Sequence, residues 1–142
     1  MNLCRVKLCN LFNNEFMRLE LFPAVLSEQR AKLWHKTQVA IHYAVKKHLE
    51  EYEYFLKADD DTFLIMENLR NILTGQNPEQ PFIMGRRFRP FVKQGYLSGG
   101  GGYVMSRAAL LRFHEGILHE PKCEKDALDE NEDVRIGQLC FD

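Results

Sequence analysis

An apolar, aromatic segment runs straight into three consecutive acids: Tyr52 to Ala58 reads YEYFLKA, and Asp59-Asp60-Asp61 follows at once. A short apolar run ended by a sharp polar break predicts a buried strand, so the triplet falls at the strand's carboxyl edge. Thr62 to Leu73 (TFLIMENLRNIL) has helical spacing at Leu64, Ile65, Leu69, Ile72 and Leu73, and Gly75 is a suitable stop. The pattern is a βα unit with acids at its turn. Like charges a few ångströms apart repel and raise each other's pKa unless a cation compensates. A hard divalent ion, Mg²⁺ or Mn²⁺, takes oxygen ligands and keeps positions for substrate phosphates. In an extended chain Asp59 and Asp61 point to one side and Asp60 to the other. A solvated acidic turn or helix start accounts for the triplet equally well; the apolar strand in front of it favours a site.

Around this unit, helices and strands alternate. Ser27 to Leu49 reads as an amphipathic helix through Leu33, Trp34, Ile41, Val45 and Leu49, with Ser27 as N-cap and His35, His42 and His48 on its surface. GQNPEQP (Gly75 to Pro81) is turn chemistry, and Phe82 to Gly85 a short strand. Tyr103-Val104-Met105 predicts another strand with Tyr103 in the core. Ser106 caps a helix through Ala108, Leu110, Leu111 and Phe113. A charged loop from Glu120 to Asn131 leads to a last short helix, Glu132 to Leu139. This alternation predicts an α/β class. At 142 residues and 45% hydrophobic, the chain is long enough for one core and too short for two.

The net charge of −1 excludes a dedicated nucleic-acid binder and a polybasic membrane-surface protein. No run approaches the roughly 18 apolar residues of a membrane span. The first residues, MNLCRVKLCNLFNNEF, have no continuous apolar stretch of the signal-peptide kind. Cys4, Cys9, Cys123 and Cys140 lack paired CxxC spacing, so reduced thiols and disulfides both stay open.

Several templates fail by counting. An EF-hand starting at Asp59 needs an oxygen ligand, Gly and Glu where the chain has Phe63, Leu64 and Arg70. Gly99 to Gly102 form neither GxGxxG nor a P-loop. His114 and His119 stand about 140° apart on a helix, not on one metal-binding face. A phosphohydrolase DxDx[TV] motif is missed because Thr62 comes one place early. Two further features carry double readings. Glu132-Asp133 either complements a helix dipole or offers a general base to an incoming hydroxyl. The basic, aromatic run Arg86 to Lys93 is a solvated loop or a phosphate-facing one, and Tyr96 could stack on a sugar or base.

Taken in order, FLKADDDTF (Phe55–Phe63), GRRF (Gly85–Phe88), GYLSGGGGYVMS (Gly95–Ser106) and EDVRIG (Glu132–Gly137) strongly resemble the core 1 β1,3-galactosyltransferases of the fringe-like β1,3-glycosyltransferase family. The likeness runs from about Leu26 to Cys140. It sets residues 1–25 apart as a divergent segment and makes 26–142 a partial catalytic domain. The resemblance implies a GT-A-type nucleotide-sugar fold, UDP-galactose as donor, a GalNAc-bearing glycoprotein as acceptor, inversion at the anomeric carbon and a lumenal Golgi location. It also allows a homodimer.

On this chain the resemblance makes Asp59-Asp60-Asp61 the DxD motif, with Asp59 and Asp61 on Mn²⁺. Asp133 becomes the catalytic base and Glu132 its support. Arg86, Tyr96, Gly99 and Gly100 join the three aspartates in holding the donor, with bare glycine backbone against the sugars. Cys123 and Cys140 would pair as relatives' cysteines do, closing about 16 residues for roughly 3 kcal/mol. Relatives also carry a membrane anchor, upstream βα units and a downstream histidine that completes the metal shell, none recognisable here. The expectation is therefore a truncated member. The alternatives are an inactive or chaperone-like partner of the enzyme and, more remotely, a Mg²⁺-dependent phosphohydrolase.

Overall fold

Side chains alternate along the central strands of one sheet, and helices therefore cover both of its faces. The computed structural model describes residues 5–9, 16–21, 33–59, 61–89, 93–119 and 131–139. Along the chain these form β1 (Arg5–Cys9), β2 (Phe16–Leu21), α1 (Leu33–His48), β3 (Tyr54–Ala58), α2 (Met66–Leu73) and β4 (Ile83–Gly85). They continue with β5 (Arg87–Phe88), β6 (Tyr96–Leu97), β7 (Tyr103–Ser106), α3 (Arg107–His119) and α4 (Glu132–Leu139). The main sheet has the order β2-β1-β3-β7-β4, and β5 and β6 form a separate two-stranded ribbon. All of these described pairings are antiparallel. The mixture of helix and strand agrees with the α/β expectation; strand direction had no signal in the sequence. The segment 1–25 contributes β1 and β2, and β1 hydrogen-bonds along β3 from Arg5↔Ala58 to Cys9↔Tyr54.

All five residues of β3 are buried, which is why the strand reads as a nearly continuous apolar run. Phe55 packs with Tyr103 and Met105 of β7 against Trp34, Ile41 and Ala44 of α1, Leu110 of α3 and Ile136 of α4. Tyr54, Leu56 and Ala58 face the other way with Val104, onto Leu73, Leu69 and Leu64. The period of two assigns Lys57 to the Phe55 face. The expected Ser106 cap is present: Ala109 N–H donates to Ser106 Oγ at 3.2 Å.

Three expectations need correction. The helix after the acids starts at Met66, not Thr62. Thr62 is held in a turn instead: its N–H donates to the Asp59 carbonyl (3.1 Å), its Oγ accepts from Asp59 N–H (3.0 Å), and its hydroxyl donates to the Gly100 carbonyl (2.9 Å). As a result Phe63 is 90% exposed, and Ile65 and Ile72 are exposed rather than buried. His48 is not on the surface. The turn into β3 folds over it, with Glu51 and Tyr52 N–H both donating to the His48 carbonyl, and its ring bonds to Glu51 at 2.8 Å. His42 is half-buried, its Nδ1 lying 2.9 Å from Nε2 of His114; His35 is exposed as expected. The Ser27 cap and the Cys123–Cys140 pairing lie outside the described residues. Among the described residues no helix is long and apolar enough to cross a membrane.

Candidate functional site

β3 ends at Ala58, and Thr62 N–H then closes back onto the Asp59 carbonyl, so the strand does not continue through the acids. The condition for Asp59 and Asp61 to share one side of a strand is therefore not met. Asp59 is partly exposed and Asp61 exposed, while Asp60 lies outside the described residues. What fixes Asp59 is the residue two places before it.

Lys57 Nζ lies 2.6 Å from Asp59 Oδ1 and 2.6 Å from Glu132 Oε1. The lysine and glutamate side chains are 8% and 7% exposed, the aspartate 40%. The second oxygen of Glu132 accepts the Tyr103 hydroxyl at 3.1 Å, and Lys57 Nζ stands 5.8 Å from the Tyr103 ring centre. Burial works against the Lys57 charge, but Glu132 and Asp59 together outweigh it and hold the ammonium's pKa above its ordinary value. For Glu132 burial dominates and raises the carboxyl, with Lys57 pulling the other way. Sequence reasoning passed over Lys57. The signal was there, since a lysine inside a strand that is otherwise apolar is seldom buried without a partner.

The glycine run closes over this ion pair. Gly99 N–H donates to Asp133 Oδ2 at 3.0 Å, and Val134 N–H donates to Asp133 Oδ1 at 2.8 Å. A Cβ on Gly99 would stand 2.7 Å from Glu132 Oε1 and 3.1 Å from Lys57 Nζ. The missing side chain thus lets the loop lie on the Lys57–Glu132 pair. Gly100 is exposed, and a Cβ there would face Asp59 Oδ2 at 3.9 Å. Gly102 has φ +73°, a conformation that favours glycine, as the loop turns into β7.

Asp59, Glu132, Asp133, Gly99 and Gly100 therefore meet in one corner. Arg86 borders it: the residue is exposed, its carbonyl accepts Ser98 N–H at 2.8 Å, and its Cβ lies 3.4 Å from where a Cβ on Gly101 would stand. Tyr96 is half-buried, stacks near Phe88 with ring centres 6.0 Å apart, and lies against α4. A Cβ on Gly137 would come within 2.5 Å of Tyr96 Cβ. Gly137, a glycine inside a helical pattern, is the second residue whose part sequence reasoning missed: it lets α4 approach β6.

The donor set suits a hard divalent ion, because it consists of carboxylate oxygens on a solvent-facing turn. Among the described residues no group of three or more His, Cys, Asp and Glu could hold an ion. Of the triplet, Asp59 is the residue placed in this corner, so a shell there would need further oxygen ligands such as those of a phosphate. Lys57 Nζ donates to Oδ1 of Asp59, and Oδ2 lies on the Gly100 side.

A family model described as Fringe-like matches residues 24–140. Glycoprotein-N-acetylgalactosamine 3-beta-galactosyltransferase 1 of Xenopus laevis is 50% identical over 121 residues, covering 83% of this chain and 33% of that protein. Human chondroitin sulfate synthase 3 is 26% identical over 113 residues, with 72% of this chain and 12% of the other covered. Human beta-1,3-glucosyltransferase is 28% identical over 109 residues, with 75% and 21% covered. The chain spans about a third or less of the length of these relatives.

Proposed function

The chain belongs to the Fringe-like family, and from that premise we propose that it carries the donor corner and catalytic base of an inverting β1,3-galactosyltransferase. The donor is UDP-galactose and the acceptor the 3-hydroxyl of O-linked GalNAc on a glycoprotein. The fold is of GT-A type, and the reaction takes place on the lumenal side of Golgi membranes. One observation carries this reading: Lys57 joins the acidic turn to the acid pair of α4 through two 2.6 Å contacts, so two motifs far apart in sequence form one site. The Xenopus relative, whose name states a galactosyl transfer to N-acetylgalactosamine, supports the choice of sugars.

Asp133 removes the proton from the acceptor hydroxyl. The oxygen bonds to the anomeric carbon as the bond to UDP breaks on the opposite face, and the proton stays on the carboxylate. The Gly99 and Val134 N–H groups that Asp133 accepts fix its rotamer, which keeps the base aimed before substrate arrives. Asp61 and Asp59 Oδ2 would hold Mn²⁺, which when bound offsets the charge of the departing diphosphate. Arg86, exposed beside the glycine loop, adds positive charge at the same border.

Calorimetry of UDP binding to this chain, with and without Mn²⁺, tests the reading. Binding is expected only with the metal and is expected to vanish in Asp61→Ala; metal-independent binding would reject it. Asp133→Asn is expected to keep donor binding and to lose transfer to a GalNAc peptide.

A further inference from the structure

Lys57 bridges two carboxylates from distant parts of the chain. A buried ammonium has three N–H donors and a charge to match, and carboxylates supply both needs. Lys57 has two, one from the solvent-facing turn after its own strand and one from the start of α4. Glu132 lies against the bare Cα of Gly99, where an added Cβ would stand 2.7 Å from its Oε1. It is held on its other side by the Tyr103 hydroxyl. Its neighbour Asp133 is clamped by Gly99 N–H. A displacement of Lys57 therefore moves carboxylates at both ends of the corner.

We propose that Lys57 is a positioning residue that couples Asp59 to the Glu132-Asp133 pair, so that the state of the acidic turn and the placement of the base depend on one shared ammonium. The proposal rests on the transferase reading above. Lys57 itself meets neither sugar nor acceptor; it acts through the carboxylates. Its charge also competes with any cation for Asp59, since like charges near one carboxylate repel. Removing that charge tightens cation binding, whereas a lysine with a merely structural role would weaken it when removed.

The experiment titrates Mn²⁺ alone into the full chain and follows free Mn²⁺ by electron paramagnetic resonance, with circular dichroism as the check on folding. Lys57→Met leaves Glu132 buried without a partner, so the main variant is Lys57→Met combined with Glu132→Gln, which removes both charges of the buried pair. It is expected to bind Mn²⁺ about tenfold more tightly than Glu132→Gln alone, from which it differs only by the ammonium. Lys57→Arg, which keeps the charge, should stay near wild type. Gly99→Ala crowds both Glu132 Oε1 and Lys57 Nζ; the buried pair is disturbed, Lys57 turns to Asp59, and Mn²⁺ binding should weaken several-fold.

Binding in the folded double variant no tighter than in Glu132→Gln overturns the proposal. So does an unchanged value in Gly99→Ala, or an absence of Mn²⁺ binding in every variant. UDP added to the same titrations separates the two readings. If the Mn²⁺ comparisons come out as stated and UDP does not bind, the transferase assignment fails and the coupling stands.

Discussion

Lys57 meets Asp59 and Glu132 at the same 2.6 Å, yet the first carboxylate is 40% exposed and the second 7%. Equal length does not mean equal consequence. Water screens the Asp59 contact and competes for it, so the pair adds little to stability. The Glu132 contact is sealed by Tyr103, by the strand and by the glycine loop, and its cost and its strength both come from desolvation. One end of the corner is therefore left open to solvent and the other is set in advance.

The sharpest way to break this comparison is to remove the shared ammonium. Lys57→Met leaves the Glu132 carboxylate buried and unmatched, and should cost about 3–5 kcal/mol in urea unfolding. A loss below 1 kcal/mol would mean that the buried contact is no stronger than the exposed one. Gly137→Ala comes next. Its Cβ would meet Tyr96 and the Gly95 carbonyl, displacing α4 without changing any charge, and should cost about 1–3 kcal/mol by the same measurement. Asp59→Asn, at the open end, should change stability by less than about 1 kcal/mol.

The smallest effect belongs to a pair away from the site, where α1 meets α3. Burial, then the charges of His42 and Lys46, hold His114 below its ordinary pKa of 6.5, with Glu115 opposing and His119 adding to the shift. Between that lowered value and 6.5 the unfolded chain binds more protons than the folded one. The His114 contribution is therefore complete above pH 6.5 and falls away as the pH drops below it. A series of unfolding midpoints from pH 7.5 to 5 should show a slight decline that His114→Gln flattens.

Much of the frame was legible in local pattern. The strand into the acids, the helix of Leu33, Trp34 and Ile41, and the Ser106 cap each follow from a signal within a few residues of itself. The start of α2 was misread because the apolar spacing of Thr62 to Leu73 has no knowledge of the Gly100 carbonyl that captures the Thr62 hydroxyl. His48 was placed on the surface for a similar reason: Glu51 and Tyr52 of the turn that follows the helix reach its ring.

By itself the sequence determined which residues are apolar at helical or strand period, where the acids interrupt them and, through the order of its motifs, which family the chain resembles. Which carboxylates face Lys57, what the bare Cα of Gly99 leans on and how closely α4 may approach Tyr96 were decided only when β3, β7 and α4 came together. The reason is physical. Periodicity specifies that a face is buried, but the partner that desolvates and matches a charge on that face comes from a distant part of the chain, and no local pattern records the meeting.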